Sequence, residues 1–399
     1  MSVHRLDAFQ ACESALRKRD LKQALYDAGK VVMDGVLLTL HGDAHVERRG
    51  VEVRVFRRNF FKYYEKEVFP VTLEQTLAPY IASGGGDLVE IGYQLTVNLT
   101  ADFAGIDRPQ RTAQETERLI AITKKLSEGA TMVHSTRDKA ELEAEVGAAL
   151  TALDSEFLQA SVVRREALLR AVAAGEIADT ESPRDVLTVI LQARDELQMD
   201  HPQLVREIGF YMQAGAHSTA NSVIHALHEI EQWAGDDADR WARLGDPIFV
   251  QHCVHESLRL HPASPEAWRT ATCPMHVGAD DVATGARIEL DLFQANRDKS
   301  VFGADSEIFD PDRAVPSNVL RSGLTFGIGL HTCLGRELDG GVVAKKGADI
   351  ESCQFGIVTL IVIRLLALGA RTMPDDPPQP DTKTTRPNWG RFPVTFTKV

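Results

Sequence analysis

Cysteine is scarce in this chain, and its distribution excludes a fold stabilised by disulfides. The 399 residues contain five cysteines, which are scattered and odd in number: Cys12, Cys253, Cys273, Cys333 and Cys353. Proteins that depend on disulfides concentrate their cysteines and live in oxidising compartments. We therefore expect a reducing compartment and free thiols.

The chain also lacks a basic excess and a long apolar run. Its formal net charge is −13, which argues against nucleic acid as the main partner. The most apolar run, residues 356–370, contains Arg364 and is too short to span a bilayer. The amino-terminal region carries Lys18, Arg19 and Asp20, unlike a signal peptide or an anchor. These features predict a soluble cytoplasmic protein of bacterial type without a membrane anchor.

Helical periodicity dominates what is present, and no internal repeat or low-complexity tract is evident. The pattern predicts helices over residues 7–28, 44–67, 73–82, 90–103, 111–128, 137–174, 183–192, 201–235 and 247–260. Strand-like segments cluster later, at residues 269–278, 287–292 and 392–399. A length of 399 residues allows one large domain or two. The sequence thus predicts a mainly helical fold with a minor sheet.

One segment near the carboxyl terminus carries a strong chemical signal. Residues 326–335 read Phe-Gly-Ile-Gly-Leu-His-Thr-Cys-Leu-Gly, which places Cys333 among small residues before an apolar segment. A thiolate is stabilised by the free N–H groups and positive dipole end of a helix amino terminus. Cys333 is therefore a candidate thiolate ligand. The alternative for a lone cysteine is a buried structural residue.

A carboxylate and a guanidinium lie three residues apart upstream of Cys333. Glu256 and Arg259 share one face of a predicted helix, which Pro262 then ends. Arg313 follows later, in the segment Phe-Asp-Pro-Asp-Arg. An exposed pair of this kind would contribute little to stability, and such a spacing is common by chance.

Together these segments resemble the signatures of the cytochrome P-450 family. Residues 326–335 match its haem-binding pattern F-G-x-G-x-H-x-C-x-G at every fixed position, and Glu256 with Arg259 resembles its E-x-x-R pair. Arg313 resembles the arginine that completes the family's buried triad. The resemblance implies a structural role for these three residues, which would hold the segment that carries Cys333.

The resemblance also implies the architecture and the cofactor. It implies a single domain over residues 1–399, mainly α with a small β subdomain. Haem b (iron protoporphyrin IX) would lie between a long distal helix and the helix of the cysteine loop. Cys333 would be the proximal iron ligand, which pushes electron density onto iron and favours O–O cleavage. Phe326, Gly327 and Gly335 would contact the haem, since glycines let the backbone pass close to a flat macrocycle.

Two segments depart from the family pattern. Residues 42–49 resemble a segment that bacterial relatives carry several dozen residues further into the chain. The first helix and its strand hairpin are therefore expected to be missing or much reduced. Residues 340–347, Gly-Gly-Val-Val-Ala-Lys-Lys-Gly, are expected to interrupt the helix that usually continues after the cysteine.

Four cationic residues are candidates for pairing with the two haem carboxylates, which need partners when buried. His45 and Arg49 match the family's H-x-x-x-R segment, and Arg269 lies in the strand after the Glu256 helix. His331 precedes the cysteine by two positions. The alternative for each is a solvated side chain.

A basic stripe continues from the same predicted helix. Arg54, Arg58 and Lys62 are spaced four residues apart and would share one helix face. The resemblance places this helix on the cysteine side of the haem. On a chain of net charge −13, the stripe would steer an acidic electron donor of the ferredoxin type. The alternative is a solvated helix face.

The long predicted helix contains an unusual form of the family's oxygen-activating segment, A-G-x-[D/E]-T. Residues 214–219 read Ala-Gly-Ala-His-Ser-Thr. His217 replaces the acid and Ser218 replaces the threonine, with Thr219 next. Histidine can shuttle protons near neutral pH, and serine keeps a hydroxyl group. These three residues are the predicted catalytic groups, although His217 could instead simply face other helices.

Substrate contacts are implied in four segments, residues 26–40, 211–217, 263–268 and 387–391. Met33, Met212, Trp268 and Trp389 are candidates within them, although each is more often plain core. The leading hypothesis is a haem-thiolate monooxygenase that inserts one oxygen atom of O₂ into a hydrophobic small molecule (terpenoid, steroid, fatty or aromatic compound), with electrons from ferredoxin and a reductase. Because His217 replaces the family's acid, an alternative is a haem-thiolate enzyme that uses peroxide as oxidant, or an isomerase or dehydratase. The short amino-terminal region and the interruption at residues 340–347 suggest a third hypothesis, a haem-binding carrier or sensor without turnover.

Overall fold

Helices form most of the computed structural model, which describes residues 2–110, 112–278, 280–345 and 347–397. The helices are α1 Phe9–Arg17, α2 Lys30–Met33, α3 Gly42–Glu52, α4 Arg58–Tyr63, α5 Phe69–Ser83, α6 Leu88–Ala104, α7 Ala113–Ala130, α8 Lys139–Leu153, α9 Gln159–Ala173, α10 Val186–Gln192, α11 Arg194–Leu197, α12 His201–Ala234, α13 Ala238–Arg243, α14 Pro247–Leu260, α15 Leu292–Ala295, α16 Lys299–Phe302, α17 Arg336–Asp339 and α18 Ile357–Ala367. The expected mainly α fold is confirmed.

The strands are short and form small sheets. They are β1 Val3–Leu6, β2 Leu21–Gln23, β3 Gly85–Asp87, β4 Glu266–Ala271, β5 Met275–Val277, β6 Asp280–Val282, β7 Arg287–Asp291, β8 Ala370–Thr372, β9 Gln379–Pro380, β10 Trp389–Arg391 and β11 Pro393–Phe396. A four-stranded sheet has the order β1-β7-β4-β2, in which β1 and β7 are parallel. Its register pairs Arg269 with Gln23 on one side and with Ile288 on the other.

The long helix α12 runs through the core and was predicted almost to its ends. The Asp200 side chain caps it by accepting a hydrogen bond from the Gln203 N–H. Its middle packs tightly on α6, where a Cβ at Gly215 would lie 2.2 Å from the Thr100 side chain. The Thr96 hydroxyl also donates to the Ala216 carbonyl oxygen at 3.1 Å. Small residues thus bring the 214–219 segment of α12 against α6.

The predicted triad holds α14 to the chain before the Cys333 loop. Glu256 Oε1 accepts hydrogen bonds from Arg259 at 2.6 Å and from Arg313 at 2.8 Å, and all three side chains are buried. Arg259 also donates to the carbonyl oxygens of Asn296 and Ser306. The expected contact is therefore confirmed, and the charges are paired and hydrogen-bonded as burial requires.

Two predicted helices are wrong in part. The helix over residues 7–28 ends at Arg17, because Leu21–Gln23 pairs with β4 and buries Leu21 and Gln23. The helix over residues 44–67 breaks between Glu52 and Arg58. The β-branched run at Val51, Val53 and Val55 disfavours a continuous helix there.

Other differences follow from local chemistry. The strand expected over residues 269–278 is interrupted at Pro274, which lacks the N–H that a ladder requires. Helix α18 was missed because its sequence is apolar on all sides and therefore shows no amphipathic pattern. The break expected after the cysteine is confirmed, since α17 ends at Asp339. Parts of three predicted segments lie outside the described residues. They are Arg111 at the start of the helix over residues 111–128, residues 398–399 at the end of the strand over residues 392–399, and Lys346 in the segment over residues 340–347.

The residues that the structure describes contain no helix with the length and apolar character needed to cross a bilayer.

Candidate functional site

A cavity of about 340 Å³ lies between α12, α3, β4 and the Cys333 loop. Its lining includes all eleven site residues predicted from the sequence: His45, Arg49, His217, Ser218, Thr219, Arg269, Phe326, Gly327, His331, Cys333 and Gly335. These residues come from four separate parts of the chain, and the fold brings them to one place.

The Cys333 loop is shaped by glycine and by a backbone hydrogen bond. Gly327 and Gly329 have φ angles of +62° and +75°, in the left-handed region that favours glycine. A Cβ at Gly329 would lie 2.7 Å from the Leu16 carbonyl oxygen of α1. The Cys333 N–H donates to the Phe326 carbonyl oxygen at 2.8 Å and closes the loop. Glycine is thus required where the loop bends and where it touches α1.

Cys333 lies deep in the protein and is accessible to the cavity. Burial raises the pKa of its thiol to about 11, and the charge of Asp339 adds to this effect. The helix that follows, α17, has only four residues and starts three positions after the cysteine. The helix therefore begins after Cys333 and is short, so its dipole gives the thiolate less support than the sequence suggested.

Asp339 is a cavity residue that the sequence analysis missed. Its Oδ1 accepts a hydrogen bond of 2.6 Å from the Thr219 hydroxyl of α12. Burial raises the pKa of Asp339 to about 6, while the bond from Thr219 opposes the rise. A negative charge here opposes a thiolate at Cys333, which is the unusual electrostatic feature of this site.

The four residues predicted to pair with the haem carboxylates form one wall of the cavity. The His45 and His331 ring centroids are 4.5 Å apart, and Arg49 donates to the Thr332 carbonyl oxygen at 2.7 Å. Arg269 donates to Gln23 Oε1 at 2.7 Å. Among the described residues, no carboxylate oxygen lies within 4.0 Å of the Arg49 or Arg269 guanidinium. The positive charge of this wall therefore comes from two arginines that no carboxylate of the described residues neutralises.

The charges on this wall act on one another. Burial first, and then the charges of Arg269, His45 and Arg49, lower the pKa of His331 to about 3. Burial and Arg49 lower the pKa of His45 to about 4, and its Nε2 is buried without a hydrogen-bond partner. Burial also lowers the pKa of Arg269 to about 10. A ligand with carboxylate groups would relieve this arrangement, so the residues fit a haem with its propionates.

The distal residues differ from the expectation in one respect. The Tyr93 hydroxyl and His217 Nδ1 share a hydrogen bond of 2.7 Å, and burial followed by the charge of Arg386 lowers the pKa of His217 to about 3. The expected titration of His217 near neutral pH is therefore wrong. The Ser218 hydroxyl donates to the Ala214 carbonyl oxygen at 2.6 Å. The catalytic roles of His217, Ser218 and Thr219 stay predictions.

The expected substrate segments are distributed between the cavity and the core. Cavity-lining members of these segments are Tyr26, Leu37, Leu38, Tyr211, Gln213, Ala214, Gly215, Ala263, Ser264 and Ala267. Met33, Met212 and Trp389 pack in hydrophobic clusters. The Trp268 indole N–H donates to Glu266 Oε2 at 2.6 Å. Arg386 also lines the cavity. The predicted substrate segment, residues 387–391, begins one residue after it, and the position of Arg386 before Pro387 does not indicate burial.

The basic stripe does not lie on one helix, which corrects the sequence prediction. Arg54 lies in the turn after α3, whereas Arg58 and Lys62 belong to α4. Arg58 Nε is 3.9 Å from Glu337 Oε2 of α17, and Lys62 donates to the Ser352 carbonyl oxygen at 3.4 Å. Arg58 and Lys62 therefore lie beside the segment that follows Cys333.

Comparisons with known proteins agree with the fold and the site. The cytochrome P450 family model matches residues 145–338, which include Glu256, Arg259 and Cys333. Human cytochrome P450 4B1 is 25% identical over 175 residues, covering 38% of this chain and 34% of that protein. Nocardicin C N-oxygenase of Nocardia uniformis subsp. tsuyamanensis is 32% identical over 171 residues, covering 41% of this chain and 40% of that protein. The matches thus span only about a third to two fifths of these curated relatives.

The likeness to solved structures extends over the whole fold. The crystal structure of CalO2 has a TM-score of 0.74 at 18% identity, covering 99% of this chain and 90% of that chain. The chain thus resembles cytochrome P450 proteins in sequence over residues 145–338 and in fold over nearly its whole length. Members of this family bind haem b.

Proposed function

We propose that this protein is a haem-thiolate monooxygenase that inserts one oxygen atom of O₂ into a hydrophobic small molecule of the terpenoid, steroid, fatty or aromatic type. The observation that carries the proposal is one cavity in which Cys333, with Arg49 and Arg269 that no described carboxylate neutralises, faces the 214–219 segment of α12. When bound, haem b would supply the activation of dioxygen. The protein's own residues would supply its binding, a thiolate ligand for its iron and the control of protons.

Binding of the haem is assigned to three groups of residues. Cys333 Sγ would bind the iron, and deprotonation of its thiol would be coupled to metal binding because the thiolate is the ligand form. His45, Arg49, Arg269 and His331 would pair with the propionates. Phe326, Gly327 and Gly335, which line the cavity, would contact the macrocycle. The Glu256, Arg259 and Arg313 triad supports the chain before this loop without touching the cavity chemistry.

Protons are held on the α12 side of the cavity. The Thr219 hydroxyl hydrogen lies on the bond to Asp339 Oδ1. His217 is neutral near pH 7, and its Nδ1 shares a hydrogen bond with the Tyr93 hydroxyl. Ser218 keeps its hydroxyl on the helix backbone and can turn it toward the cavity. These groups orient water and pass protons by hydrogen bonds without becoming charged.

The electron donor in this proposal is an acidic ferredoxin-type protein. The exposed Arg58 and the half-buried Lys62 lie beside the segment that follows Cys333, and Arg54 is exposed in the preceding turn, which supports docking on the thiolate side. Opposite charges on the two proteins would raise the rate of encounter.

One observation favours a second candidate, a haem-thiolate enzyme that uses peroxide. A neutral His217 of low pKa stands where the family pattern has a carboxylic acid. A peroxide-driven reaction needs no proton delivery to reduced oxygen from solvent, so it would tolerate this change.

The reduced carbon monoxide difference spectrum tests the haem-thiolate assignment. We expect a thiolate spectrum from the parent protein and its loss in Cys333→Ala. Cys273→Ala is the matched control, because Cys273 is half-buried and remote from the cavity lining. An unchanged spectrum in Cys333→Ala would exclude the assignment. Turnover with NADH, ferredoxin and reductase would support the monooxygenase, whereas turnover with peroxide alone would favour the second candidate.

A further inference from the structure

Arg386 is a buried cation that pairs with no carboxylate of the described residues, in a part of the cavity that the haem assignment does not use. It lies in the loop between β9 and β10, is 8% exposed and lines the cavity. Six arginines are buried within the described ranges: Arg48, Arg165, Arg259, Arg269, Arg313 and Arg386.

Most of these arginines have carboxylate partners. Carboxylate oxygens lie within 4.0 Å of the guanidinium groups of Arg48, Arg165, Arg259 and Arg313. The two that have no such partner among the described residues are Arg269 and Arg386, and both line the cavity. A buried cation without an anion is unfavourable, so each of the two is arranged for an anion that the chain does not supply.

The surroundings of Arg386 are polar but do not neutralise it. Its Nε is buried without a hydrogen-bond partner, and its backbone N–H, not its side chain, donates to Thr384. Glu266 acts on it electrostatically, yet Glu266 already accepts a hydrogen bond from Trp268. Burial lowers the pKa of Arg386, as expected for an uncompensated cation.

Arg386 lies in a loop beside α12, whereas Arg269 acts on the Cys333 loop. Asn388 Nδ2, two residues after Arg386, is 3.5 Å from His217 Nε2 of α12, and the charge of Arg386 acts on His217. The charge of Arg269 acts on His331 in the Cys333 loop, although both arginines also interact with Tyr26. Arg269 is therefore placed for a propionate, whereas Arg386 is placed on the side where a substrate would lie above the haem.

We propose that Arg386 binds the carboxylate of the substrate, so that the cavity accepts hydrophobic monocarboxylic acids in preference to neutral molecules of the same shape. This inference rests on the proposed function, because it treats the α12 side of the cavity as the substrate side. The planar guanidinium can donate two parallel hydrogen bonds to a carboxylate. The apolar remainder of the acid would contact side chains such as Leu37, Leu99 and Phe210.

The test compares carboxylates with their methyl esters on the haem-loaded protein, by isothermal titration calorimetry at neutral pH. Decanoate and 4-phenylbutanoate are the probes, each against its methyl ester. We expect the parent to bind at least one acid about tenfold or more tightly than its ester, the factor expected for a charge-assisted hydrogen bond. Arg386→Gln should remove the preference while ester binding stays unchanged. Arg386→Lys should keep part of it, since charge remains but the fork is lost.

Arg391→Gln is the matched control on the neighbouring strand, because Arg391 pairs with Asp376 at the surface. It should keep the full preference for the acid. Equal binding of acid and ester by the parent, no measurable binding of either acid, or a preference that survives Arg386→Gln would overturn the proposal. Loss of haem from Arg386→Gln would overturn it too, since Arg386 would then hold a propionate. The carbon monoxide spectrum tests the proposed function separately. It reports the thiolate ligand, whereas calorimetry reports only the binding of acid and ester.

Discussion

The Thr219 hydroxyl donates a hydrogen bond of 2.6 Å to Oδ1 of Asp339, and this bond joins the middle of α12 to the helix after Cys333. It places a carboxyl group against the cavity next to the proposed thiolate ligand. Burial, the larger effect, raises the pKa of Asp339 to about 6, although the bond from Thr219 favours the charged form. The protein therefore holds an acid on the cysteine side of the cavity and a neutral histidine on the other.

Asp339→Asn should stabilise the haem-free protein at neutral pH. A carboxyl whose folded pKa exceeds its unfolded value of 3.8 contributes stability at low pH, and this contribution is lost as pH rises through about 6. Because Asp339 borders the cavity, we expect a loss of only about 1–3 kcal/mol between about pH 4 and pH 7. The asparagine variant should lack this loss in urea unfolding.

Asp376→Asn is the control for this experiment, since the bond from Arg391 lowers the pKa of Asp376. Its carboxylate contributes stability that is lost as pH falls, so its removal should alter the pH dependence in the opposite direction. Identical pH dependence in Asp339→Asn and the parent would contradict the assignment of a raised pKa.

Breaking the buried triad should destabilise the fold and weaken haem retention. Arg259→Ala leaves Glu256 with a single arginine partner, at a cost of about 3–5 kcal/mol. Arg243→Ala removes an exposed pair with Asp312 and should cost about 1 kcal/mol or less. Thermal unfolding and haem content measure both variants. Similar behaviour of the two would mean that the triad is not needed to support the Cys333 loop.

Site residues that belong to short sequence motifs could be predicted, whereas residues whose role depends on burial in the fold could not. The Cys333 loop and the Glu256–Arg259 pair were recognisable because each motif is short and its spacing is fixed. His45, Arg49 and Arg269 were placed through the resemblance alone, yet all reach the cavity. Asp339 and Arg386 were missed, because burial without a partner is a property of the fold that no local pattern records.

The fold shows the same division. Helices α12 and α14 were predicted closely because their periodicity and start signals agree with their packing. The amino-terminal region was predicted as a helix because its local propensity does not show the pairing of β2 with β4. Helix α18 carried no amphipathic pattern because it is buried on nearly all sides. A single domain over the whole chain stays a prediction.

Removal of Arg269 should weaken haem binding without unfolding the protein. Its guanidinium bonds to Gln23 and to its own strand, and no carboxylate within the described residues pairs with it, so its charge is available for a propionate. We expect Arg269→Gln to lose haem about tenfold or more faster in a transfer assay with apomyoglobin, as for a lost charge-assisted bond. Arg287→Gln, an exposed change on β7, should retain haem like the parent. Equal haem loss in the two variants would assign Arg269 a purely structural role.

His217→Ala should lower product formed per NADH consumed, with the missing electrons recovered as peroxide. The expected loss is below the ~100-fold that a direct general acid supplies, because a neutral imidazole acts only by positioning water. Since the pKa of His217 is about 3, the pH dependence of coupling above about pH 5 should be the same in both proteins. Substrate binding, followed by the haem absorption change, should stay near normal.

His228→Ala, farther along α12 and packed against Trp389, is the control and should couple like the parent. If His217→Ala forms as much product per NADH consumed as the parent, His217 has only a structural role. Restoring an acid with His217→Asp should keep or raise coupling.

Charge reversal at Arg54 and Arg58 should slow reduction by ferredoxin and leave substrate binding unchanged. Both side chains are exposed, and Arg58 lies beside Glu337 of α17, so they can attract an acidic donor over the screening distance of about 10 Å at moderate salt. The defect should therefore shrink as salt rises. Arg170→Glu changes an exposed cation on α9 and should reduce at the parent rate. Stopped-flow measurement of the reduction rate across a salt series tests this prediction. If reduction slows equally at low and high salt, or slows equally in Arg170→Glu, these arginines do not form the docking surface.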